Sequence, residues 1–186
     1  MDSRIVHQAK LELARREFFF YCCLRASDFY KPDRTYLRAL CDALQAFYEG
    51  DDEVLVINEP PRHGKSRTAG LFVEWILGKN PKEKIMTGSY NETLSTVFSK
   101  NVRNSIQEIK ADAARIVYSD IFPGVTIKAG DAAMFQSTRP MRSATAAPRK
   151  IPQDFSVSIH APHAGRDYML SLDFTGFLKF QSTRPM

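Results

Sequence analysis

Val54-Leu55-Val56-Ile57-Asn58-Glu59-Pro60-Pro61-Arg62-His63-Gly64-Lys65-Ser66 is the stretch on which the reading of the fold turns. Its first four residues are an uninterrupted apolar run after the turn-forming Gly50-Asp51-Asp52, the pattern of a buried strand in a parallel sheet. Its proline- and glycine-bearing middle is a loop. From Lys65 to about residue 77 the chain reads as helix, with Leu71, Val73, Trp75, Ile76 and Leu77 apolar, and Gly78 to Pro81 ends it. Further on, residues 84–89 read as a second strand. Residues 91 to about 113 read as a helix with Leu94, Val97, Phe98, Ile106 and Ile109 on one side. Strand, loop, helix, strand, helix is the start of an α/β fold with a doubly wound, mostly parallel sheet, here an incomplete one.

Upstream, residues from about 4 to 25 read as one helix ending in the apolar cluster Phe18 to Leu24. Residues 33–48 read as a second helix with Asp33 as its N-cap and Leu37, Leu40, Cys41, Leu44 and Phe47 as its apolar stripe. The expected organisation is two leading helices in residues 1–49, a partial nucleotide-binding domain in 50–134, and a tail in 135–186.

The chemistry lies in Glu59 to Ser66. A triphosphate needs several donors converging on its oxygens. A tight loop that opens into a helix supplies backbone N–H groups and the positive end of the helix dipole. Gly64 lets the backbone come close to the phosphates. Lys65 reaches the β and γ oxygens, and the Ser66 hydroxyl faces Mg²⁺. His63 and Arg67 flank this core as further candidate phosphate contacts. Arg62 is the candidate to stabilise the charge that develops at the γ-phosphate, although a solvated loop side chain is an equal reading for it and for His63. The octet matches G-x-x-x-x-G-K-[ST] except at its first position, where Glu59 stands for glycine. The expected cofactors are ATP and Mg²⁺. A bland alternative is that Gly-Lys-Ser only begins a helix.

Pro60-Pro61-Arg62-His63-Gly64-Lys65-Ser66 resembles the deviant Walker A loop of phage terminase large subunits, in which the first glycine is often missing. Tyr30 with the helix after it resembles the segment before that family's first strand. Ser89-Tyr90-Asn91 with Leu94, Phe98, Val102, Arg103 and Ile106 resembles its second strand and long helix, and Tyr118 to Pro123 a short motif beyond. The resemblance covers about residues 15 to 130. It implies a DNA-packaging motor ATPase of phage or prophage origin, in the cytoplasm of a bacterial host cell. The partners it implies are DNA, a portal protein and a small terminase subunit. Two family features are missing. No apolar strand ends in Asp-Glu to hold Mg²⁺ and position water; the nearest run, Met169 to Phe174, has Asp173 and no Glu. No nuclease carboxylate cluster is present either. A truncated, ATP-binding but inactive segment is therefore expected. The alternatives are another nucleotide-loop enzyme such as a small kinase, or the non-functional product of a pseudogene.

Bulk properties exclude several classes. Hydrophobic residues are 44% and charged residues 25%, ordinary for a globular chain. No apolar run is long enough for a transmembrane helix, and the first residues do not read as a signal peptide. Cys22, Cys23 and Cys41 are too few and too irregular for a disulfide framework or a zinc site, and read as buried or half-buried thiols on helices.

The net charge of +5 sits mostly in the tail: residues 135–186 hold seven Lys/Arg and three Asp, leaving 19 basic and 18 acidic residues before them. That tail repeats itself. Phe135-Gln136-Ser137-Thr138-Arg139-Pro140-Met141 recurs at Phe180 to Met186. A DNA segment encoding this peptide, read one base upstream, encodes Val-Ser-Ile-His-Ala-Pro-His-Ala-Gly, the run Val157 to Gly165. The three copies start at residues 135, 157 and 180, at a near-constant interval. A protein solenoid repeats in one frame. This unit repeats across frames and contains complementary GC-rich ends, so it resembles translated repeat DNA of the CRISPR type. The tail is expected to be non-evolved and disordered or irregular. The His160–His163 spacing, Asp167 and the tail arginines carry no functional expectation.

Overall fold

Glu17 interrupts what the sequence reads as one N-terminal helix. In the computed structural model, which describes residues 3–52, 54–89, 92–112, 115–125, 135–138, 167–172 and 177–183, helices α1 (Ser3–Arg16) and α2 (Phe18–Arg25) meet at this residue. The Glu17 backbone is extended, with φ −115° and ψ 121°. Phe18 N–H, which starts the new helix, donates to Gln45 Oε1 at 2.8 Å, so the break leaves no orphaned donor at that point. Gln45 belongs to α3 (Thr35–Glu49), which buries Leu37, Leu40, Cys41, Leu44 and Phe47, the stripe its spacing predicts. Asp33 does not cap it. The helix follows Arg34 with no side-chain cap, and Asp33 contributes only its carbonyl, to Thr35 N–H at 3.1 Å.

The centre is α4 (Lys65–Lys79). Thr68, Ala69 and every residue from Leu71 to Leu77 are buried, so this helix is enclosed rather than laid on a surface. Trp75 packs against Phe18 and Tyr48 with ring centroids 5.6 Å away in each case. Its Nε1 donates to Ala14 O at 3.1 Å, tying α4 to α1. Truncating such a side chain to alanine costs about 3–5 kcal/mol.

On the far side lie α5 (Glu92–Ile106) and α6 (Tyr118–Ile121). The face α5 buries is Phe98, Val102 and Ile106. Val97 and Ile109, expected on that face, are exposed, Ile109 because the helix ends before it.

Helices dominate the described residues through Val125. Only two short strands occur there, β1 (Val54–Asn58) and β2 (Lys84–Ser89), and they do not pair with each other. This part therefore forms no sheet of its own, and the expected doubly wound, mostly parallel sheet is corrected. The strands that flank β1 and β2 are β3 (Phe135–Thr138), β4 (Asp167–Leu172) and β5 (Phe177–Thr183), in the order β1-β5-β4-β2-β3. β2 runs parallel to β3 and β4, whereas β5 is antiparallel to β4 and to β1, so the pairing is mixed.

Burial explains the misreading. Along β1, Val54, Val56 and Asn58 are exposed, Leu55 is half-buried and Ile57 is buried. Burial is thus confined to the face of β1 that carries Leu55 and Ile57, and a doubly wound sheet needs both faces covered. Four consecutive apolar residues do not reveal which of them lie inside.

The expectation of a wholly disordered or irregular tail is corrected for the same residues: each copy of Phe-Gln-Ser-Thr lies within a strand, β3 or β5, and the sheet takes strands from both sides of residues 134 and 135. His160, His163, Arg166 and Asp173 lie outside the described residues.

Candidate functional site

Glu59 to Gly64 leaves the end of β1 and opens directly into α4, so the strand–loop–helix setting expected for a phosphate loop is present locally. Two residues turn the chain. Arg62 adopts φ +67° and Gly64 φ +89°, ψ 5°. Arg62 is exposed and pays a backbone cost that glycine does not.

Gly64 is required twice over. A side chain there would be in the left-handed region, and a Cβ would lie 2.6 Å from Phe29 Cε1. Thr68 Oγ1 bonds Gly64 O at 3.0 Å and Tyr30 Oη at 2.7 Å, so the turn before α3 braces the loop from behind. Burial raises the Tyr30 phenol far above its ordinary range, keeping it neutral.

The N-terminus of α4 is open: no side chain caps it and no acid occupies its first turn. Its leading N–H groups and helix dipole suit an anion. Ser66 is exposed at that end. Lys65 does not point outward. Its Nζ donates to Glu59 O and, at 3.1 Å, to Pro60 O, so the ammonium closes the loop on itself. His63 Nδ1 lies 3.0 Å from Pro61 O, and its ring meets Tyr36 edge-on at 5.6 Å. Arg67 turns away from the loop. It pairs with Asp28 at 3.3 Å, and its guanidinium lies 5.0 Å from the Phe29 ring centroid. Arg34 takes an equivalent place, also 5.0 Å from that centroid.

The loop thus brings His63, Gly64, Lys65 and Ser66 together, while Arg67 is engaged elsewhere. Phe29, which neither spacing nor motif singled out, is the side chain that fixes Gly64. Glu59 is half-buried, and its Oε2 is shielded from solvent without a hydrogen-bond partner. Burial pushes its carboxyl above the usual range, against the pull of Lys65 and His63.

ATP and Mg²⁺ fit this site on the donor set: an uncapped helix end, a glycine turn, an ammonium and a hydroxyl. One adjustment is needed, since Lys65 must leave the two carbonyls. Among the described residues no group of three or more His, Cys, Asp or Glu could hold a metal ion. Among the same residues no helix is long and apolar enough to cross a membrane.

No family model, curated protein or solved structure matches the chain. The site therefore stands on its own geometry.

Proposed function

We propose that residues 59–66 bind the phosphates of ATP with Mg²⁺, and that the chain is the N-terminal ATP-binding segment of a terminase-like DNA-packaging ATPase working in a bacterial cytoplasm. The observation that carries the reading is Gly64-Lys65-Ser66 at an uncapped, acid-free helix N-terminus that a short loop joins to the end of a strand. Lys65 supplies the ammonium for the β and γ oxygens, Ser66 the hydroxyl for Mg²⁺, and Arg62 and His63 extend over the phosphates. DNA, a portal protein and a small terminase subunit are the partners this reading implies. The apolar strand ending in Asp-Glu is missing from the sequence, so binding without turnover is proposed.

One observation favours a second reading. Lys65 already spends its hydrogen bonds on Glu59 and Pro60 carbonyls, which suits a loop that only starts a helix in a non-functional product. Calorimetric titration of the whole chain with MgATP separates the two. Saturable binding that Lys65→Ala abolishes supports the nucleotide site. Absence of binding, or equal binding by Lys65→Ala, overturns it.

A further inference from the structure

Glu59 stands where the G-x-x-x-x-G-K-[ST] pattern has glycine, and three observations meet at it. Its backbone carbonyl accepts a hydrogen bond from Lys65 Nζ, so the ammonium rests at the beginning of the loop rather than over the helix end. Its Oε2 is shielded from water and has no partner. Burial raises its carboxyl, and the Lys65 ammonium pulls the other way. A carboxylate so placed does what a bound phosphate would do: it attracts the loop's cation and repels other anions.

Resting on the nucleotide-loop reading above, we propose that the Glu59 carboxylate sets the affinity of the phosphate loop by opposing the approach of a polyphosphate, while the main-chain carbonyls of Glu59 and Pro60 hold Lys65 in the closed position. Nucleotide binding then requires Lys65 to exchange the Glu59 and Pro60 carbonyls for phosphate oxygens, with the Glu59 charge working against the exchange. Glycine at this position would remove both the charge and the shielded oxygen. The opposition is electrostatic, so it grows with the number of phosphates and vanishes for a nucleoside.

The test is titration of the full chain, as wild type and as Glu59→Gln, Glu59→Gly and Lys65→Ala, with adenosine, AMP, ADP and ATP in the presence of Mg²⁺. Glu59→Gln keeps the shape and removes the charge, and is expected to tighten ATP about tenfold, with a smaller gain for ADP and none for adenosine. Glu59→Gly follows the same order, and serves if the glutamine variant fails to fold. Equal ATP affinity in wild type and both Glu59 variants, with binding lost in Lys65→Ala, overturns the role of Glu59 and leaves the loop reading intact. A gain of equal size for adenosine and ATP also overturns it, because that is loosening rather than charge. Unchanged binding in Lys65→Ala, or no binding by any variant, overturns the loop reading itself.

Discussion

Tyr21 Oη donates to Glu74 Oε2 at 2.7 Å across the interface of α2 and α4, with both side chains inside the core. The same carboxylate lies 3.8 Å from Arg25 Nε, too far for a hydrogen bond, and that nitrogen has no other partner. Arg25 Nη2 instead reaches Ser105 Oγ at 2.8 Å near the end of α5 and Glu108 Oε2 at 3.3 Å just beyond it, while Nη1 donates to Ile116 O at 3.2 Å. Tyr118 Oη closes the group by donating to the Glu74 carbonyl at 3.2 Å. Glu74 thus joins α4 to α2 through its carboxylate and to α6 through its carbonyl, and the neighbouring Arg25 carries the link to α5.

Tyr21→Phe removes a donor from a buried carboxylate and adds nothing in its place. We expect a loss of about 1–3 kcal/mol in unfolding free energy, read by denaturant melts with the m-value unchanged. A loss below a few tenths would mean that the hydroxyl is dispensable to Glu74.

Burial raises the Glu74 carboxyl above its ordinary value, against the opposing pull of Arg25 and the hydrogen bonds from Tyr21 and Ser105. The folded state then holds the proton to higher pH than the unfolded chain. Stability contributed by this group is therefore fully present below about pH 4.5 and is lost as pH rises through the folded value. The unfolding free energy of wild type minus that of Glu74→Gln should fall as pH increases across this range and then level off. A difference that is flat with pH, or rises, contradicts the assignment.

Gly64→Ala should destabilise the fold and perturb the loop, because the methyl group meets the Phe29 ring and the backbone keeps φ +89°. The left-handed conformation alone costs about 1–2 kcal/mol for an L-residue. Adding Phe29→Ala should return only the steric part of the loss. Full recovery in the double variant would show that the loop can relax its φ.

Cys22 and Cys41 face each other with sulfurs 3.9 Å apart, and both are buried, whereas Cys23 is half-buried. Burial raises the thiols of Cys22 and Cys23 above their usual range. A thiol reagent such as a maleimide should label Cys23 first and slowly, and should reach Cys22 and Cys41 only on unfolding, as mass spectrometry of the labelled peptides would show. Rapid labelling of Cys22 in the native protein would refute the packing of α2 on α3.

The stripe of α3 was legible because Leu37, Leu40, Cys41, Leu44 and Phe47 recur at the helical period and one face is buried. The loop from Glu59 to Ser66 was legible because turn residues and a glycine before Lys65 have local causes. What escaped was non-local. The break at Glu17 depends on Gln45 of a different helix, and the partner of Val54 is Gln181 in the repeated tail. The resting position of Lys65 was equally hidden, since a motif gives the reach of a side chain and not the acceptors it meets in the folded loop. Nor does the spacing of α5 announce where that helix stops, which is why Ile109 was placed inside and stands 88% exposed.

The pairing of Val54–Asn58 with Phe177–Thr183 also has a consequence for synthesis. Helices α1 to α4 pack on one another and on α5 and α6, all made well before residue 177, and can consolidate while the ribosome is still translating. β1 cannot. Until the last strand has been made, its N–H and C=O groups lack the partners they will have, and Val54 and Val56 lie beside them. During that interval the nascent chain carries an adhesive strip, and slower translation of the repeats prolongs its exposure to other nascent strands and to chaperones.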